Sequence, residues 1–294
     1  MNIQELVKQG IDRNIHGDFE EAIAFFNQVI ELDSLHAESY YHRGYAYLKL
    51  SVFDQAINDY QQVIKITKNT PQSFPNIYVD LAKAFHNRGL NYFQQNDYQA
   101  AIADINQALE YYPDFVAAYS NLGNIFHILG KYQQAISQYN QAIEINPQLA
   151  AAYHNLGNSY YALKEYQNAI TNYNQALAID PEFAEAYYNR GLVRVYLQEY
   201  ETAITDFNKA IELDPDDVQS YYQRGLAYSN LGKYEAAIVD YDQALHINPI
   251  LPIVYGLRAK VRHQLGDYEG AIADSNKLIQ LNPKLALEIH NSVV

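Results

Sequence analysis

The chain is 294 residues long, with 49% hydrophobic and 18% charged residues, a balance that suits a folded protein with a large core. Its formal net charge of −14 repels phosphate backbones and anionic lipid, and the lack of Cys excludes disulfides, zinc–thiolate sites and thiol nucleophiles. No apolar run reaches membrane-spanning length, and Met1-Asn2-Ile3-Gln4-Glu5 lacks the basic start of a signal peptide, so a cytoplasmic protein with no nucleic-acid partner and no direct membrane insertion is expected.

The first element, 3–36, carries Gly10 and Ala22 twelve residues apart, and the second, 37–70, repeats the pair as Gly44 and Ala56. An interruption follows at 71–81. The pair then recurs every 34 residues: Gly89 and Ala101 in 82–115, Gly123 and Ala135 in 116–149, Gly157 and Ala169 in 150–183, Gly191 and Ala203 in 184–217, Gly225 and Ala237 in 218–251. The last element, 252–285, has Ala259 and Ala271. Such a period predicts a stack of supersecondary units, each a helix A, a turn and a helix B. Small residues at the eighth and twentieth positions let the two helices approach, and aromatics fill the space beside them. Pro at the thirty-second position (Pro113, Pro147, Pro181, Pro215, Pro249, Pro283) stops helix B.

The interruption holds Pro71, Phe74, Pro75, Asn76, Ile77 and Tyr78. Eleven residues make nearly a whole number of helical turns, so a helix starting at Pro75-Asn76 would lengthen the next helix A without changing its face. A passive connection is the simpler reading, and a landmark on which Phe74, Ile77 and Tyr78 project is the other. Residues 286–294 read as a short C-terminal cap.

Comparing the repeats with one another reveals a coupling. The seventh position is Arg43, Arg88, Arg190, Arg224 or Arg258 in five repeats, and the twenty-third position of the same five is Asp59, Asp104, Asp206, Asp240 or Asp274. Where the seventh is Leu122 or Leu156, the twenty-third is Gln138 or Asn172. This predicts a guanidinium–carboxylate pair between helices A and B of each such repeat.

The aromatics at the fourth position (Tyr40, Phe85, Tyr119, Tyr153, Tyr187, Tyr221, Tyr255) and the seventeenth (Phe19, Phe53, Tyr98, Tyr132, Tyr166, Tyr200, Tyr234, Tyr268), with the Gly, Ala and Pro above, resemble the tetratricopeptide repeat (TPR) family over nearly the whole chain. The resemblance implies an all-α fold: a single domain over 1–294, a right-handed superhelix or α-solenoid of eight repeats. It also implies that positions two, five, six, nine, twelve and thirteen of helix A face a concave groove. Position six then gives Asn87, Asn121, Asn155 and Asn189, and position nine gives Asn124 and Asn158. An amide donates and accepts, so it suits the backbone of an extended peptide. The segment Tyr119-Ser120-Asn121-Leu122-Gly123-Asn124 resembles the asparagine-ladder repeats of O-GlcNAc transferase and kinesin light chain. His86, His154, Tyr188 and Tyr222 at position five, with His127 and Tyr161 at position twelve, complete the expected peptide site.

The expected function is a protein-interaction scaffold that assists complex assembly, its partner a protein or peptide. A structural role through end-to-end stacking, with weak self-association of the terminal repeats, is the alternative. A chaperone adaptor is disfavoured, because position five is never Lys and the carboxylate clamp of that branch of the family is missing. The sequence has no phosphate loop, nucleophile elbow or metal-ligand spacing, so neither catalysis nor a cofactor or metal is expected.

Overall fold

The computed structural model describes residues 2–68 and 73–291, with side chains through 287. The described residues form seventeen α-helices and no strand: α1 (Ile3–His16), α2 (Phe19–Leu32), α3 (Ala37–Lys49), α4 (Phe53–Ile66), α5 (Ile77–Gln94), α6 (Tyr98–Tyr111), α7 (Val116–Ile128), α8 (Tyr132–Ile145), α9 (Ala150–Ala162), α10 (Tyr166–Ile179), α11 (Ala184–Tyr196), α12 (Tyr200–Leu213), α13 (Val218–Asn230), α14 (Tyr234–Ile247), α15 (Pro252–Gln264), α16 (Tyr268–Leu281) and α17 (Pro283–Asn291). Odd helices up to α15 are helices A and even ones helices B, an α-solenoid arrangement. The chain divides into two compact units, Met1–Pro147 and Gln148–Val294, each a run of four helix pairs.

Within a pair, the bare backbone of a glycine at the eighth position is covered by a large side chain sixteen residues on, a ring everywhere but at Gly89, where it is Ile105. A Cβ built on Gly123 would come within 2.4 Å of the Tyr139 ring, and one on Gly157 within 2.6 Å of the Tyr173 ring. Tyr139 and Tyr173 are almost fully buried. The ring therefore lies on the helix itself, and any side chain at the eighth position would push the two helices apart.

Each helix A ends in the same way. The fifteenth position is left-handed in all eight repeats, as Gly17, Gly130, Gly232 and Gly266 and also as Ser51, Asn96, Lys164 and Gln198. At Gly130 this conformation brings the Gly130 and Lys131 N–H groups back to the carbonyls of His127 and Phe126, which closes the helix end.

The Arg–Asp pairs form in all five repeats. Nε and Nη2 of Arg43, Arg88, Arg190, Arg224 and Arg258 donate to both oxygens of Asp59, Asp104, Asp206, Asp240 and Asp274 at 2.6–3.0 Å. The guanidinium also lies over the aromatic three residues before it, 5.3 Å from the Tyr40 ring for Arg43 and 5.6 Å from Tyr255 for Arg258. Its remaining Nη1 reaches helix B of the preceding repeat: Asn27 for Arg43, Asn174 for Arg190, Asn208 for Arg224 and Asp242 for Arg258. One side chain thus ties three helices together. Burial pushes the Asp59 and Asp240 carboxyls up, and the guanidinium opposes it.

The insertion does more than lengthen a connection. In α3, α7, α11, α13 and α15 the third and tenth positions are small or aliphatic and buried against the preceding repeat, as Ala118 and Ile125 in α7 or Ala186 and Val193 in α11. In α5 the buried pair is Ile77 and Ala84, whereas Asn91, at the tenth position, is exposed. Tyr41 donates its hydroxyl to Asp80, seven residues before Asn87. Arg88 reaches Asp54, seven residues before Gln61, the position that Arg in other repeats would contact. All three shifts are seven residues, so α5 has slid two turns, or about 10 Å, along the second repeat while keeping its face. Ile77 is buried and Phe74 packs 5.2 Å from the Tyr41 ring, so both join the packing, whereas Tyr78 stacks on Tyr111 and stays 43% exposed. Pro71 lies outside the described residues. The helix starts at Ile77, after Asn76.

The C-terminal element also differs from its expected bounds: helix α17 begins at Pro283, three residues before 286. Proline at the first helical position needs no N–H partner, so the helix can start directly after Asn282.

Arg224 is the sole cation bound to Asp240 among the described residues, whereas Asp206 keeps Arg194 at 2.8 Å if Arg190 is lost. We therefore expect Arg224→Met to cost about 3–5 kcal/mol by stranding a buried carboxylate, and Arg190→Met clearly less, in urea unfolding followed by circular dichroism. Equal costs would show that the fork is incidental.

Candidate functional site

Helices α5, α7, α9, α11 and α13 carry the expected site residues, and the two units are taken separately. In the first unit, His86 is buried and Asn87, Asn121, Asn124 and His127 are half-buried. The Asn121 amide donates to His86 Nε2 at 2.9 Å, across the boundary between α5 and α7. With Nε2 accepting, the proton sits on Nδ1, which faces Asn87 Oδ1 at 3.4 Å. Asn124 accepts the buried Tyr139 hydroxyl at 2.8 Å. His127 meets the Tyr132 ring edge-on. Because α5 has slid, Asp80 and not Asn87 lies opposite the fifth position of the second repeat, Tyr41.

The second unit repeats the scheme and closes it into a chain. Asn189 donates to His154 Nε2 at 2.9 Å and to Asn158 Oδ1 at 3.3 Å, and Asn158 also accepts the Tyr173 hydroxyl at 2.7 Å. His154 is buried, whereas Asn155, Asn158, Asn189, Tyr161, Tyr188 and Tyr222 are half-buried. Tyr161 belongs to a ring cluster with Tyr166 and the exposed Tyr196, at centroid distances of 5.7–6.1 Å. Tyr188 lies 6.0 Å from Phe207, and Tyr222 accepts from Gln223.

The amides therefore bridge neighbouring helices as well as facing outward. The pairing of the ninth position with the Tyr at the twenty-fourth was missed in sequence reasoning, yet it left a signal. Asn124 and Asn158 occur where that residue is Tyr139 or Tyr173. The repeats with Tyr60 and Tyr241 have Tyr45 and Leu226 instead, and those two hydroxyls find no hydrogen-bond partner among the described residues. Burial holds the His86, His127 and His154 imidazoles below their ordinary pKa; for His154, Glu185 pulls weakly the other way. Among the described residues, no group of three His, Asp or Glu could hold a metal ion, and no helix is long and apolar enough to cross a membrane.

Family models described as TPR repeat match residues 14–51, 89–130, 123–164, 157–198 and 193–232, and models described as tetratricopeptide repeat match 37–70, 218–250 and 253–285. Comparison with curated proteins gives no match. Among solved structures, the MamA protein is 27% identical with a TM-score of 0.54, over 57% of this chain and 92% of that one. PilF of Pseudomonas aeruginosa gives a TM-score of 0.63 at 20% identity, over 74% and 99% of the two chains. YrrB, described as a TPR protein with an unusual peptide-binding site, gives 0.56 at 23% identity, over 65% and 98%. At their identities, the last two speak for the fold alone.

The lowered imidazole pKa values have a direct consequence for stability. The unfolded chain takes up these protons first, so stability present above about pH 6.5 is lost as the pH falls below that value. Protonation of Nε2 would also break the Asn121 and Asn189 contacts. Thermal unfolding of His86→Gln and His154→Gln between pH 7.5 and 5 should show a shallower acid loss than wild type. Parallel curves would contradict the assignment.

Proposed function

Since the chain belongs to the tetratricopeptide repeat family, we propose that it is a protein-interaction scaffold that takes an extended peptide segment of a partner on the helix-A faces of its units. The observation that carries this reading is the half-buried amide pair repeated in each unit: Asn121 held by His86, and Asn189 held by His154. A bond to an imidazole fixes each amide's orientation and uses one of its two N–H donors. Asn189 uses its second donor on Asn158, so the group both amides keep for a peptide is the carbonyl oxygen, joined at Asn121 by a second N–H; the fixed angle lowers the entropy cost of pairing with a peptide backbone. Tyr161, Tyr188, Tyr222 and His127 add rigid rings beside them, the residue mixture common at recognition surfaces. Contacts with backbone rather than side chains would make such a surface tolerant of partner sequence.

The charge distribution favours a neutral or mildly polar segment. Lys8, Lys49, Lys83 and Lys260 offset Glu38 and Glu185 at the groove positions, and all six are exposed. The excess of carboxylates therefore lies elsewhere on the repeats. A scaffold of this kind would assist assembly by holding its partner in an extended form.

The test is selection of binders from a displayed peptide library on the immobilised full chain. Asn121→Ala with Asn155→Ala should weaken selected peptides at least about tenfold, the loss of one or two backbone hydrogen bonds, with helicity unchanged. Peptides that bind the double variant as tightly as wild type would show that the amides serve the stack only.

A further inference from the structure

The repeats of this chain show what normally covers a helix B. In α10, Ile170 packs on Val193 and Leu177 on Ala186, so the twenty-first and twenty-eighth positions meet the tenth and third positions of the next helix A. Ile170 and Ile204 are 8% exposed, and Leu177 and Leu245 are 7%. The matching residues of α16, Ile272 and Ile279, are 62% and 51% exposed. Tyr268, four residues before Ile272 on the same face, is also exposed, as is Leu287 on the short α17. Leu278 of α16 is only 5% exposed, so the uncovered residues form a stripe and not a whole bare helix.

The head of a second copy cannot fill it. In α1 the third and tenth positions are Glu5 and Asp12, both exposed, where α3, α7, α11, α13 and α15 bury small or aliphatic side chains. Head-to-tail stacking would press the Glu5 and Asp12 carboxylates against the aliphatic Ile279 and Ile272 and strip their hydration, which is unfavourable. End-to-end growth of the stack is thereby blocked at one end.

We infer that the uncovered stripe of α16 is an interface with the same stripe of a second copy, tail to tail. An aliphatic stripe is complementary to itself under a two-fold axis. The local charge permits the approach: α16 and α17 hold Glu269, Asp274 and Glu288 against Lys277 and Lys284, and with Asp274 buried on Arg258 and Arg262 the remaining four sum to zero, in a chain whose net charge is −14. Two copies meeting there escape the repulsion that any other pair of faces would meet on average. Few side chains contribute, so the dimer is weak and closes at two copies. This inference does not depend on the peptide-binding reading.

Sedimentation velocity from low micromolar to several hundred micromolar protein tests it. Wild type should pass from monomer to dimer without larger species. Ile272→Glu with Ile279→Glu should remain monomeric throughout, with unchanged helicity, since both side chains are exposed. Glu5→Ala with Asp12→Ala should still dimerise, and species larger than a dimer should appear only in this variant, because it unblocks the head. A wild-type chain that stays monomeric over the whole range, whether or not another protein occupies the stripe, overturns the inference. So does a dimer that survives the α16 substitutions, or one abolished by the α1 substitutions.

Discussion

The contact on which the structure rests is that of a large side chain lying on a bare turn of helix. Phe26, Tyr60, Ile105, Tyr139, Tyr173, Phe207 and Tyr241 each cover a glycine of their own helix pair. Because that side chain occupies the space where a Cβ would stand, the distance between helices A and B is set by its thickness. Everything else follows from that spacing. It brings the seventh position within reach of the twenty-third, so the Arg fork can close, and it aims the rest of helix A away from helix B. The eighth repeat supports the same logic by exception: Ala259 replaces the glycine, and Ser275 stands where the other repeats have their large residue.

The polar interactions are of a different kind. The five Arg forks are buried and directional, and buried ion pairs contribute more to a unique arrangement than to net stability. Here the arrangement is the angle between one repeat and the next, because Nη1 reaches back to the preceding helix B. The helix-A amides act similarly on the opposite face. Asn158 and Asn189 link a core tyrosine to a buried imidazole and end at the surface. A residue that holds the stack and also faces outward makes recognition and stability hard to separate, which is why the controls above are needed.

Much of the fold was legible in the sequence, because a period of 34 survives substitution. The Arg–Asp coupling was legible too, since paired residues change together from repeat to repeat. The left-handed turn residue was only half marked: Gly17, Gly130, Gly232 and Gly266 signal it, but Lys164 and Gln198 adopt the same conformation without a sequence sign. The slide of α5 was hidden for a different reason. An insertion length fixes how many residues are added, but which of them become helical depends on what Ile77 and Leu81 can bury. The two-turn shift then replaced Asn87 by Asp80 opposite Tyr41, a local exchange that no regular ladder could reveal. The inward ties of the amides were likewise out of reach, because they depend on which ring nitrogen faces which helix.

A glycine at the eighth position and a large side chain at the twenty-fourth specify each other. A double-mutant cycle at one repeat tests this most directly: Gly157→Ala, Tyr173→Ser, and both together, by equilibrium unfolding. Gly157→Ala alone should destabilise by about 1–3 kcal/mol through overpacking, in spite of alanine's better helix propensity. In the Tyr173→Ser background the same change should be neutral or stabilising, reproducing the Ala259 and Ser275 arrangement of the last repeat. An equal cost in both backgrounds would contradict the account.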